Sequence, residues 1–190
     1  DAYRGFDADV VAYSPSEGYD AYREDLAASY AELDLHGQAP VRADQIVVTT
    51  GGSEALIFAI AAVCVPGDQL LVAEPYYTNY RGMAHMLGVG VAALTTHVDQ
   101  GFRIDPAAVE AALTAQTRAF VLTSPGNPTG AVVAREDLLA IADICRERGI
   151  FLIADEVYRD FVYTEDGSLD HAATALGLPD FDEHAIVIDS

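Results

Sequence analysis

The sequence predicts an α/β fold: three layers, helix on sheet on helix, around a mostly parallel (mixed) sheet. Two observations carry that reading. From Asp44 onward, short apolar runs alternate with segments of helical periodicity, the pattern of strands joined by crossover helices. The chain also has 190 residues, 51% of them hydrophobic, which is enough to bury a sizeable core and excludes a disordered chain.

The elements follow in order. Tyr22, Leu26, Tyr30 and Leu33 recur at helical spacing, so Asp20 to Leu35 reads as an amphipathic helix. It precedes the first strand and is expected to pack outside the sheet or on a partner. Ile46-Val47-Val48-Thr49 reads as a strand. Ser53 to Val65 reads as a helix apolar on nearly every side, which predicts burial all round. Pro66-Gly67-Asp68 is a turn. Leu70 to Ala73 is a strand, Asn79 to Leu87 a helix closed by Gly88, and Val89 to Leu94 a strand. Asp105 caps a helix whose first residue is Pro106, with Val109, Ala112 and Leu113 inward. Ala119 to Thr123 is a strand. Arg135 to Arg148 is a helix with acids early, arginines late and Gly149 as its stop. Ile150 to Ala154 and Ala185 to Asp189 are two further buried strands. There is no internal repeat or low-complexity linker.

Composition narrows the function classes. The net charge of -20 argues against nucleic acid or an acidic membrane surface as a partner. The longest strictly apolar run, Ala55 to Val65, is too short to span a bilayer. No signal-peptide pattern is seen, and a cytoplasmic location is expected. Cys64 and Cys145 lie inside apolar helical patterns and read as buried free thiols, with no metal spacing. All ten basic residues are arginine. The chain opens without Met and stops on a strand end, so a larger parent protein is expected.

In open parallel sheets, ligands bind at the carboxyl ends of the strands. Polar residues gather at those ends here. Gly51-Gly52-Ser53 opens a helix, where free N–H groups and the dipole suit a phosphate; a plain tight turn is the simpler alternative. Tyr76 and Tyr77 offer a face for a ring, or serve the core. Asp155 follows an apolar strand, where a carboxylate is costly without a cation. An internal arginine or a protonated ring nitrogen can supply it. Tyr158 follows one turn later. Asn127 sits between Pro125 and Pro128, which restrict its backbone, and presents an amide or simply makes an Asn-Pro turn.

Taken together, "TTGGSEAL", "EPYY", "SPGNPTG" and, about thirty residues on, "ADEVY" resemble the class I/II aminotransferases, fold-type I enzymes that use pyridoxal 5′-phosphate. The resemblance runs from about Tyr13 to Ser190. It implies an N-terminal segment over residues 1–40 making interdomain or dimer contacts. Residues 41–190 would be part of the large cofactor-binding domain, without the C-terminal small domain. It implies roles residue by residue. Gly52, Ser53 and Glu54 hold the cofactor phosphate, and Ser190 contacts it too. Tyr77 stacks on the pyridine ring. Asn127 and Tyr158 meet its phenolic oxygen. Asp155 keeps its nitrogen protonated, the contact that makes the ring an electron sink. Tyr13 reaches a neighbouring subunit's phosphate in a homodimer. Substrates would be an amino acid and a 2-oxo acid. The family's catalytic lysine belongs to a Ser-x-Ser-Lys stretch opening at Ser190, and this chain has no lysine at all. The 190 residues alone are therefore expected to be inactive and to hold the cofactor weakly or not at all. The same cofactor contacts serve C–S lyases, decarboxylases and the aminotransferase-like effector domains of transcription regulators.

Overall fold

The computed structural model describes residues 13–164 and 166–190. In chain order the elements are α1 (Asp20–Tyr30), α2 (Gly52–Val63), β1 (Gln69–Glu74), α3 (Asn79–Met86), β2 (Gly90–Thr95), α4 (Pro106–Ala112), β3 (Thr117–Thr123), α5 (Arg135–Arg148), β4 (Phe151–Asp155), β5 (Val162–Tyr163), β6 (Leu169–Asp170), α6 (Phe181–His184) and β7 (Ala185–Ile188). Five strands form one sheet in the order β2-β1-β3-β4-β7, every pair parallel. β5 and β6 make a small antiparallel pair outside it.

Alternation along each strand divides the core in two. Phe120 and Leu122 of β3 face α4 and α5, packing with Val109, Leu138, Ile141 and Cys145. Ala119 and Val121 face the other way, onto Leu56 and Ile60 of α2 and Met83 and Ala84 of α3. This is the three-layer arrangement expected from the sequence. Capping follows expectation as well: the Asp105 carboxylate accepts from Ala107 N–H at 3.1 Å, and α5 ends at Gly149. Both cysteines are buried and free, and no helix among the described residues is long and apolar enough to cross a membrane.

Three elements differ from expectation. Ile46–Thr49 is extended but forms no ladder; among the described residues its backbone bonds run from Ile46 N–H to Ala43 O at 3.2 Å and from Val48 N–H to Glu17 O at 3.0 Å. An apolar run favours extended backbone, but a strand also needs a partner edge. α1 stops at Tyr30 rather than Leu35. Leu33 and Leu35 turn inward instead, joining Val41 and Leu176 in a third small cluster. α2 is apolar all round but not buried all round. Only Leu56, Ala59 and Ile60 are buried, while Phe58 is 53% exposed and the flanking Val65 64%.

Candidate active site

The parallel register brings the strand ends into one row. Thr123 of β3 pairs with Asp155 of β4, which pairs with Ile188 of β7. The loop carrying Asn127 therefore leaves beside Asp155, and Ser190 follows just past Ile188. The N-terminus of α2 approaches the same rim. Together they enclose a cavity of about 210 Å³. Gly52, Ser53, Tyr77, Asn127, Asp155, Tyr158 and Ser190 line it, with Leu56, Tyr80, Thr123 and Val157.

Asp155 is 4% exposed, and its carboxylate meets no cation among the described residues. It accepts from the Tyr80 hydroxyl, which also pairs with Thr123 Oγ1 at 2.7 Å, and from Val157 N–H at 3.5 Å. The nearby arginine is committed elsewhere: Arg159 pairs with Glu156, Asp160 and Asp189. Burial pushes the Asp155 carboxyl above its ordinary 3.8, with the Tyr80 and Val157 hydrogen bonds pulling against it. Burial first, then the Asp155 charge, holds the Tyr80 phenol protonated as the donor.

A pH dependence follows. An acid whose pKa is raised on folding adds stability below its unfolded pKa, near pH 4, and that stability is lost as pH rises through the folded pKa. Asp155→Asn removes the charge and keeps an oxygen for Tyr80. In urea melts without ligand, the variant is expected to lie closest to wild type below about pH 4. At pH 7–8 it is expected to gain on the order of 1–3 kcal/mol relative to wild type. A relative loss over that interval would mean a cation does reach Asp155.

The Asn127 loop is built from its own backbone. Gly126 N–H donates to Ala131 O at 2.8 Å and Gly130 N–H to Gly126 O at 2.7 Å. The Ser124 hydroxyl accepts from Val133 N–H at 3.0 Å, and Ser124 N–H donates to Asp155 O at 3.2 Å. A β-carbon on Gly126 would sit 2.6 Å from Thr129 Oγ1, so any larger residue there would force the Thr129 side chain to move. The loop thus holds Asn127 at a set distance from Asp155. Asn127 Nδ2 donates to the Tyr158 hydroxyl at 3.4 Å. Tyr77 is fixed by Asn79 Nδ2, which donates to its hydroxyl at 2.6 Å, and by an edge contact with the Tyr80 ring, centroids 5.5 Å apart.

At the far end, Gly51 adopts φ 112° and ψ 170°, open in practice only to glycine, and lets the chain turn into α2. The first N–H groups of that helix lack intrahelical partners. Glu54 does not line the cavity; its carboxylate reaches back to Thr50 N–H at 2.6 Å, and that bond lowers its pKa. Tyr13 is fully exposed. Behind the wall formed by Tyr80, Thr123 and Asn127 lies a larger cavity of about 240 Å³. On its wall Arg103 grips Asp137 through two bonds.

The family model for aminotransferase class I and II matches residues 7–189. The chain belongs to the class I and II aminotransferases. It is 36% identical over 151 residues to the aspartate/prephenate aminotransferase of Thermus thermophilus, covering 80% of this chain and 38% of that protein. To the aspartate aminotransferase of Streptomyces avermitilis it is 32% identical over 93% of this chain and 42% of the relative. Among solved structures, the Thermus thermophilus aspartate aminotransferase with maleate superposes with TM-score 0.82 at 32% identity, over 94% of this chain and 44% of that one. The aromatic aminotransferase of Pyrococcus horikoshii gives 0.85 at 26% identity, over 94% and 46%. The chain thus spans less than half the length of these relatives. Membership implies pyridoxal phosphate in general terms.

This aminotransferase chain fits that group on its own evidence. A buried carboxylate that meets no cation among the described residues faces a cavity lined also by the first residues of α2 and by the Asn127 amide. Reading the sequence missed Tyr80, whose hydroxyl holds Asp155, and Thr123, which pairs with that hydroxyl. The only signal was Tyr80 one helical turn beyond Tyr77, which singles out no partner.

Proposed function

We propose that the chain is the cofactor-gripping portion of a pyridoxal phosphate enzyme that transfers an amino group from an amino acid to a 2-oxo acid. Residues 41–190 would form part of its large domain and residues 13–40 a segment laid against it; residues 1–12 lie outside the described structure. One observation carries the reading: Asp155, buried and meeting no cation among the described residues, on the wall of the strand-end cavity. A protonated pyridine nitrogen would supply the missing charge.

Bound there, pyridoxal phosphate supplies an aldehyde and an electron-accepting ring. The residues present do the rest. Asp155 would hold a proton on the ring nitrogen; the Tyr80 hydroxyl donates to Asp155, and Thr123 pairs with that hydroxyl. Asn127 and Tyr158 donate to the phenolic oxygen. Tyr77 covers one ring face. The α2 N-terminus, with Ser53 and Ser190, receives the phosphate. No lysine is present to tether the group covalently, so binding by these residues alone is reversible. Equilibrium titration of the chain with pyridoxal phosphate is expected to shift the cofactor's near-ultraviolet absorbance and to leave no cofactor after desalting. The shift should weaken in Asp155→Ala. Cofactor retained through desalting, or no shift at all, would count against the assignment.

The outward face of α2 supports a homodimer as part of the same proposal. Phe58 and the neighbouring Val65 expose apolar surface there, next to the exposed Ala61 and Ala62. Sedimentation velocity is expected to show a dimer that Phe58→Arg converts to monomer. A wild type that stays monomeric at high concentration would remove this part.

A further inference from the structure

The turn after β4 divides its residues between two sides. Asp155, Val157 and Tyr158 line the cavity. Glu156 and Arg159 turn away from it and are 3% and 5% exposed. There Arg159 meets carboxylates from separate parts of the chain. Nη1 donates to Glu156 Oε2 at 3.3 Å, Nη2 to Asp189 Oδ2 at 2.8 Å, and Nε to Asp160 Oδ1 at 3.3 Å. Glu156 is otherwise satisfied by the Thr174 hydroxyl at 2.7 Å and Ala175 N–H at 2.6 Å. The Tyr30 ring of α1 lies under the guanidinium, 5.7 Å from its centroid.

Asp189 is the link to the site. One of its oxygens takes the Arg159 bond; the other, Oδ1, accepts from Ser190 N–H at 2.8 Å. Ser190 stands beside the α2 N-terminus: a β-carbon on Gly52 would lie 3.8 Å from Ser190 Cβ. The guanidinium fork is rigid and holds two carboxylates in fixed directions, which a lysine ammonium cannot do.

We propose that Arg159 is a positioning residue for the phosphate end of the cavity, acting through Asp189 on Ser190. It touches neither the cavity nor any ligand in it. Its three carboxylate contacts tie the β4 exit, which carries Asp155 and Tyr158, to the β7 exit, which carries Ser190. The two ends of one ligand are thereby held in register by a group outside the site. This rests on the phosphate-end reading given under the proposed function.

The test has two arms in the protein that carries this chain. In the first, the affinity for pyridoxal phosphate and for inorganic phosphate is measured for Ser190→Ala, Asp189→Asn and the double variant. Each single change is expected to weaken binding by about tenfold, the scale of one hydrogen bond. The double variant should be no weaker than the weaker single one, because both act through one contact. Additive losses near a hundredfold would overturn the proposal. In the second arm, no ligand is present, and hydrogen exchange is followed at the Ser190 amide in Arg159→Lys, which keeps the charge but loses the fork. Exchange there should speed up while β3 and β4 amides keep their rates. An unchanged Ser190 rate would overturn the proposal. If wild type binds neither probe, the phosphate-end reading fails, and the exchange arm still decides whether Arg159 positions Ser190.

Discussion

Asp155→Ala is expected to lower kcat of the protein carrying this chain by about 10²–10³-fold or more, the scale seen when a preorganised charge contact is removed. Tyr158→Phe is expected to cost no more than about tenfold. The difference lies in redundancy. Asn127 and Tyr158 are within 3.4 Å of each other and address the same region, so losing one hydroxyl leaves an amide donor in place. Asp155 has no such substitute. No other carboxylate among the described residues lines the cavity, and the next one along the chain, Glu156, is occupied by Arg159, Thr174 and Ala175. Removing Asp155 also strips the buried Tyr80 hydroxyl of its acceptor, leaving it only Thr123. Steady-state kinetics on both variants make the comparison. Equal and small losses in kcat would contradict the role assigned to Asp155.

Arg159→Met is expected to destabilise the fold by about 3–5 kcal/mol, the cost of leaving a buried carboxylate without its cation. Glu156 is the reason. Its carboxyl is already pushed upward by burial and held down by Ala175 N–H, Thr174 and Arg159. Without the guanidinium its pKa rises further. The stability of the variant is then lost more steeply as pH rises through that higher value. Urea melts should show a larger deficit at pH 8 than at pH 5. Adding Glu156→Gln should recover part of the loss, because it removes the charge that was stranded. A pH-independent deficit would mean that the lost packing, and not the charge, sets the cost.

Much of the fold was legible because alternating apolar runs and helical segments leave few arrangements. β1, β3 and β4 were read to within two residues of their observed limits, and α5 to the residue. The cavity was legible for a different reason: in a parallel sheet, whatever follows each strand meets at one rim. Hence Asn127, Asp155 and Ser190, far apart in sequence, fall into one group. What escaped notice depends on partners that pattern does not name. Nothing in "DEVYRD" says that Arg159 reaches Asp189 rather than Asp155. Nothing in the all-apolar α2 says which side the sheet takes, so Phe58 was expected inside. The β5–β6 pair is too short to leave a period. Ile46–Thr49 had the composition of a strand but lacked a neighbour to complete it.

That unmatched segment and the sheet's margin carry a practical consequence. β7 is hydrogen-bonded only to β4, so its other flank is a row of unsatisfied backbone donors and acceptors among the described residues. Ile46–Thr49 is already extended and apolar, with two backbone bonds among the described residues, from Ile46 N–H to Ala43 O and from Val48 N–H to Glu17 O. A flank of one kind and a free extended segment of the other are the ingredients of strand exchange between molecules. Expressed by itself at high concentration, the chain should drift toward insoluble β-rich assemblies, and the handling that protects it is dilution rather than a reducing agent.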